Sequence, residues 1–170
     1  MTRLYKALPS ASTLWELFEY NPLTGELLWR KQLSTKCKPG STAGGLNGRG
    51  AREVSINKIK YLVHRLVWAW VTACDPTTAI LDHKNRNPGD NRFWNLRLAT
   101  QSQNMSNITH ANPCGYKGVQ RVGNRFTARL RIEGRVTYLG SFATAAEAGA
   151  AYAEAARSLH GDFVCLQARC

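Results

Sequence analysis

The amino-acid sequence predicts an α+β protein built in two parts. Short runs of alternating apolar and polar residues, bounded by turn residues, recur along the chain and read as strands. Two Thr-x-x-Glu boxes, at residues 13–16 and 144–147, mark helix starts. Between the two parts the pattern loosens over residues 108–115 (ITHANPCG), with Asn112-Pro113 and Gly115 as breakers. The expected division is therefore 1–110 and 111–170.

Taken in order, the box at 13–16 would open a short helix running to Phe18. Turn chemistry at residues 20–25 (YNPLTG) precedes a strand at 26–30. Residues 36–50 are Gly-rich and basic; they match no phosphate-binding spacing and read as a connecting loop. A hairpin turning at Asn57-Lys58 is expected over 51–63, leading into HRLVWAWV, where Leu66, Val67 and Trp70 share a helix face toward a core. His64, at the start of that helix, reads as structural rather than catalytic. In the second part Phe126, Ala128, Leu130 and Ile132 alternate with Thr127, Arg129, Arg131 and Glu133, so one strand has an apolar and a mainly polar face. Gly134-Arg135 turns the chain into a further strand, and the box at 144–147 opens an Ala-rich helix that Gly161 ends. Its alanines would let that helix lie close on three short strands.

Lys and Arg number 23 against 11 Asp and Glu, a net charge of +12 with a pI near 9.9. The surplus is spread along the chain: 11 against 5 in residues 1–80, 4 against 2 in 81–113, and 8 against 4 in 114–170. Such spreading suits tracking a polyanion, of which nucleic acid is the commonest, although a merely soluble basic protein would share it. A hydrophobic content of 44% with 20% charged residues excludes wholesale disorder. The five cysteines, at 37, 74, 114, 165 and 170, show no zinc-knuckle spacing and an odd count, which suggests reduced thiols in a cytosolic protein. With no signal-peptide core and no apolar run approaching about 18 residues, a soluble protein with no membrane partner is expected.

Residues 81–107 gather six asparagines and two glutamines around one Asp-His pair. Phosphodiester cleavage needs a hard cation to neutralise the scissile phosphate and a base to activate water. Asp82, His83, Asn95 and Asn104 offer a carboxylate, an imidazole and two amides, spaced 1, 12 and 9 residues apart. Adjacent residues on a strand point to opposite faces, so Asp82 and His83 would divide the roles of ligand and base. Asn85, Asn87 and Asn91 read as hairpin-turn residues, and Trp94 and Leu96 as core. Arg92 and Arg97 either contact phosphate or are paired internally.

At these residues the sequence closely resembles the HNH endonucleases, in particular the phage and intron-encoded subgroup. The elements stand as LDH (81–83), DNR (90–92), NLR (95–97) and TQSQN (100–104). FEYNPLTGELLW and HRLVWAW also resemble the N-terminal parts of such proteins, so the resemblance covers roughly residues 14–107. It implies a ββα-metal core at about 78–107, a hairpin and helix clasping one divalent cation. Asp82 would be the carboxylate ligand, His83 the general base, Asn95 the residue orienting hairpin and imidazole, and Asn104 the second ligand. Asparagine in the last position, instead of histidine, disfavours Zn²⁺ and points to Mg²⁺, with Mn²⁺ as the alternative. Neither a structural zinc nor a small-molecule cofactor is expected.

The tail, from 115 to about 164, resembles an AP2 domain in GYKGV (115–119), FTARLRI (126–132), YLGSF (138–142) and AAYAEAA (150–156). That resemblance implies a three-stranded sheet laid in the DNA major groove with a helix on its back. Thr127, Arg129 and Arg131, with Val136 and Tyr138, would form the outer face; Lys117, Gln120, Arg121, Arg125 and Arg135 are further candidates at strand ends and turns. Gln120 replaces the family's arginine and two aromatic positions carry no Trp, which implies a different sequence preference. A basic face for protein contact is the alternative. Together the two resemblances imply a metal-dependent, homing-type endonuclease acting on double-stranded DNA, in the cytoplasm of a bacterial host if phage-encoded. With no heptad or dimer interface visible, a monomer is the expectation. The competing reading is a DNA-binding regulator with a vestigial nuclease site.

Overall fold

The computed structural model describes residues 6–35, 37–76, 79–108, 112–132 and 134–166. The expected boundary at 110/111, the expected strand position Glu133 and the thiol of Cys170 lie outside the described residues. The chain forms two compact units, Met1–Ala99 and Thr100–Cys170.

The first unit begins with helix α1 (Ala11–Leu17), three residues earlier at its cap than the sequence box suggests. Ser10, in extended conformation, accepts the Thr13 N–H at 3.2 Å, so Ser10 is the cap and Thr13 lies within the first turn. Phe18 is already extended and opens strand β1 (Phe18–Asn21), which pairs antiparallel with β2 (Glu26–Trp29). The Gly-rich stretch is mostly loop, but its Gly45–Leu46 segment forms β3 on the edge of β4 (Arg52–Ile56) and β5 (Ile59–Leu62). The β4–β5 turn falls at Asn57-Lys58, both at positive φ, as a two-residue hairpin requires. Helix α2 (Val63–Thr72) follows, and then the hairpin of β6 (Ile80–His83) and β7 (Leu96–Ala99).

Leu14, Phe18, Leu27, Trp29, Val63, Leu66 and Val67 form the centre of one apolar core. Two features aim the β6–β7 hairpin. Arg65 on α2 is buried and donates to the Pro76 carbonyl at 2.7 Å and the Ala79 carbonyl at 3.2 Å, holding the chain as it enters β6. The tip of the β1–β2 hairpin lies against the loop of the β6–β7 hairpin. There Gly25 has φ +77°, and a Cβ on it would overlap the backbone of Asn91 and Arg92. Beside it, the Tyr20 hydroxyl accepts the Phe93 N–H at 2.8 Å.

The second unit opens with α3 (Gln101–Asn107), capped by a reciprocal box between Thr100 and Gln103. Strands β8 (Val119–Val122), β9 (Arg125–Ile132) and β10 (Arg135–Phe142) make an antiparallel sheet with β9 central, and α4 (Ala145–His160) lies on it. The predicted Thr144–Glu147 box is present and Gly161 ends the helix. Ala148, Tyr152 and Ala156 pack on Val119, Ala128 and Leu130, while Gly149 admits the Tyr116 ring where a side chain would collide. None of the four described cysteines forms a disulfide. No helix among the described residues is long and apolar enough to cross a membrane.

Gly25→Ala should cost about 2 kcal/mol or more, from strain at positive φ plus displacement of the 91–92 backbone. A urea titration followed by circular dichroism measures it; an unchanged midpoint would show that the hairpin tip does not brace the loop.

Candidate active site

Across the β6–β7 ladder Asp82 faces Arg97 and His83 faces Leu96. The ladder continues one step further, because the Lys84 N–H donates to the Asn95 carbonyl at 2.8 Å. Between them residues 85–94 fold over the buried amide of Asn95. Asn95 is fully buried; its Oδ1 accepts the Asn85 N–H at 3.1 Å, and its Nδ2 donates to Asn85 Oδ1 at 3.0 Å and the Asp90 carbonyl at 2.9 Å. Asn85 and Asn87 build successive turns by accepting the N–H groups of Asn87 and Gly89 at 2.9 and 3.0 Å. Asn85 and Asn87 are thus turn residues, in keeping with their sequence pattern.

Asn91 is a different case. It is only 1% exposed, and its Oδ1 lies 3.1 Å from Nε2 of the buried His83. Sequence reasoning placed it with the turn asparagines and missed this contact. The signal that set it apart from Asn85 and Asn87 was its place in the DNR element at 90–92. Asn95, assigned in sequence to both hairpin and imidazole, holds the hairpin loop; Asn91 supplies an amide to the imidazole.

The His64 ring meets His83 edge-on, with centroids 5.1 Å apart and planes at 78°. Its Nδ1 is buried without a hydrogen-bond partner among the described residues. Burial, followed by the nearby charges of His83 and Arg65, pushes His64 down to about 3. Burial also lowers His83, opposed in part by the Asn91 hydrogen bond and by Asp82 and Asp90. Both imidazoles are therefore neutral near pH 7.

Asp82 is buried, and its Oδ2 lies 2.9 Å from both Nε and Nη2 of Arg97. Arg92 grips Asp90 through two bonds, of 2.8 and 2.6 Å, which hold that carboxyl down at about 2. Both arginines are thus paired internally. Trp94, expected in the core, is 58% exposed: its neighbours Phe93 and Asn95 in the short turn Phe93–Asn95 face inward and leave it outside, with the Arg92 guanidinium 4.5 Å from its ring centroid. Leu96 is buried as expected. A cation at Asp82 would meet one carboxylate that the Arg97 guanidinium already bonds. Among the described residues no three His, Cys, Asp or Glu side chains gather as a metal-binding group. A carboxylate with amide oxygens fits a hard cation that keeps much of its water shell.

The second unit carries the remaining candidates. Asn104 lies on α3, half-buried. Lys117 directs its Nζ to the carbonyls of Ser106 at 2.7 Å and Ile108 at 2.9 Å, at the end of α3. On the sheet, Arg131 is opposite Val136 and Arg129 is opposite Tyr138; all four are exposed, as are Gln120, Arg121 and Arg135. Thr127, expected on the same open face, is instead buried, with its hydroxyl donating to the Gln120 carbonyl at 3.3 Å. Arg125 reaches across to Ser141, bonding its Oγ at 2.9 Å and its carbonyl at 2.7 Å.

The β6 strand end thus carries a buried Asp-His pair, with an amide on the imidazole and a loop held by further amides. Residues 61–106 match the HNH endonuclease family model. The HNH segment includes His64, Asp82, His83, Asn91, Asn95 and Asn104, and supports a nuclease acting on DNA. No curated protein and no solved structure matches the chain.

The two neutral histidines of the HNH segment set the sign of the acid response. Between pH 6.5 and about 3 the unfolded chain accepts a proton at His64 that the folded chain refuses, so stability falls as pH drops through this window. By pH 5 His64 alone should cost about 2 kcal/mol. Denaturant midpoints at pH 7 and 5 test this: the parent should lose more than His64→Phe, and equal losses would refute the assignment.

Proposed function

We propose that the chain is a metal-dependent DNA endonuclease of the HNH homing type, with a C-terminal AP2-like domain that aids recognition of double-stranded DNA. The observation carrying this reading is the Asn91–His83 hydrogen bond within the segment that matches the HNH endonucleases. With Asn91 Oδ1 as acceptor, the proton of the neutral imidazole sits on Nε2, which leaves Nδ1 as the basic atom. His83 Nδ1 takes a proton from the attacking water, and Asn91 steadies the imidazolium through Nε2–H. Asn95 keeps the loop closed behind the ring. Asp82 and, on the sequence pattern, Asn104 would hold the divalent cation, with Mg²⁺ or Mn²⁺ fitting this donor chemistry. When bound, that ion neutralises charge on the scissile phosphate and the leaving oxygen.

Recognition is assigned to the open face of the β8–β9–β10 sheet. Its exposed Arg129, Arg131, Arg135 and Tyr138 combine positive charge with an aromatic ring, and Gln120 and Arg121 lie on the neighbouring strand. Lys117, Arg125 and Thr127 are better read as internal supports, given the bonds they already make. The chain is taken to act as a monomer.

His83→Ala should lower cleavage by about a hundredfold or more while duplex affinity stays within a few fold. Asn91→Ala should lower kcat by about tenfold or more. Plasmid nicking with and without EDTA reads both; normal cutting by the His83 variant refutes the base assignment. One feature favours the alternative of a regulator with a vestigial site, namely Arg97 on the Asp82 carboxylate. Absence of cleavage at every Mg²⁺ and Mn²⁺ concentration would decide for that reading.

For the sheet, replacing Arg129 and Arg131 together with Ala should weaken duplex binding and reduce the slope of log affinity against log salt by about 2 if both meet phosphate. An unchanged affinity would remove the sheet face from recognition.

A further inference from the structure

The exposed indole of Trp94 has no role in the catalytic constellation or in either core. Its position is set by its neighbours. In the turn Phe93–Asn95, Phe93 packs on Trp68 with ring centroids 5.2 Å apart, and Asn95 is fully buried, so Trp94 is turned outward. More than half of its surface stays in water.

The residue is also held still. Arg92 is fixed by its two bonds to Asp90 and lays its guanidinium 4.5 Å from the indole centroid. Lys84 donates to the Trp94 carbonyl at 2.7 Å and fixes the backbone. An aromatic ring immobilised in advance loses little freedom when something stacks on it. Trp94 also sits one residue from the Lys84–Asn95 bond that extends the ladder past His83, so it flanks the strand end bearing the base.

Its surroundings select the occupant. Over residues 84–95 the loop carries Lys84, Arg86 and Arg92 against the single carboxylate Asp90, and Lys84 and Arg86 are exposed. An exposed ring among cations suits a polyanion that also offers flat faces, and nucleic acid combines both. We infer that Trp94 is a stacking contact for a base that partly unstacks from duplex DNA beside the cleaved phosphate, with Arg92 as its prop. This rests on the nuclease reading for the phrase "cleaved phosphate", but the stacking contact itself requires only that the hairpin meets DNA.

The test uses the full chain and a fluorescently labelled mixed-sequence duplex, with Trp94→Ala and Trp94→Phe each compared in the parent and His83→Ala backgrounds. Trp94→Ala should weaken duplex binding by about tenfold to a hundredfold, with Trp94→Phe recovering most of the loss. In cleavage the loss should fall on KM rather than kcat. Thermal melting should not move, because the ring is outside the core. Unchanged affinity in Trp94→Ala, or a loss that Trp94→Phe does not recover, overturns the inference. If the parent cuts DNA at no Mg²⁺ or Mn²⁺ concentration while Trp94→Ala binds it weakly, the nuclease assignment falls and the stacking contact stands.

Discussion

The bond between Asn91 Oδ1 and His83 Nε2 is the constraint on which the first unit depends. A buried imidazole needs a partner, and a buried amide needs one equally, so each must be delivered to the other with little tolerance. Two distant pieces of chain make the delivery. Arg65 clamps the entry to β6 and thereby sets the position of His83. The β1–β2 hairpin sets Asn91 from the other side, through the close approach of Gly25 and the Tyr20 hydroxyl on Phe93. The N-terminal hairpin, to which no reacting group is assigned, therefore positions the loop that carries Asn91.

Each carboxylate in this region is matched by an arginine. Asp90 is matched by Arg92, and Asp82 by Arg97. Asn85, Asn91 and Asn95 add hydrogen bonds without adding charge. The consequence is an imidazole whose basicity is set mainly by burial. Carboxylates in place of these amides would pull a proton onto His83 and leave it less able to accept one from water.

Much of this was legible in sequence where the signal is local. The Asn57-Lys58 turn, the Thr144–Glu147 box and the alternation of β9 each depend on a few adjacent residues, and each is present. The start of α1 was misplaced because Thr13–Glu16 satisfies the pattern of a cap, while Ser10 wins by having the extended backbone a cap needs. Trp94 and Asn91 were exchanged in character, the aromatic expected inside and the amide on a turn. Trp94 is left outside because Phe93 and Asn95 face inward. The loop they share is met by Tyr20 at Phe93 and by Gly25 at Asn91, roughly seventy residues earlier, which no window around 91–94 contains. Thr127 shows the same limit: alternation gives its face, but the Gln120 carbonyl decides that its hydroxyl is covered.

The second unit bears on how the proposed cutting and recognition would be joined. Helix α3, which carries Asn104, has seven residues and is too short to persist on its own propensity. Its start is capped by Thr100, but its end is satisfied from further along the chain. Lys117 supplies an ammonium to the Ser106 and Ile108 carbonyls, and the Cys165 N–H donates to the Ser106 carbonyl at 3.1 Å. A cation at a helix C-terminus also complements the helix dipole. The sheet domain thus stabilises the helix that bears the proposed second ligand. A chain cut after Asn112 would lose both supports, so its failure to cleave would report a frayed α3 as readily as a lost recognition surface. Substitutions confined to the exposed sheet face, which leave Lys117 and Cys165 in place, separate the two roles where truncation does not.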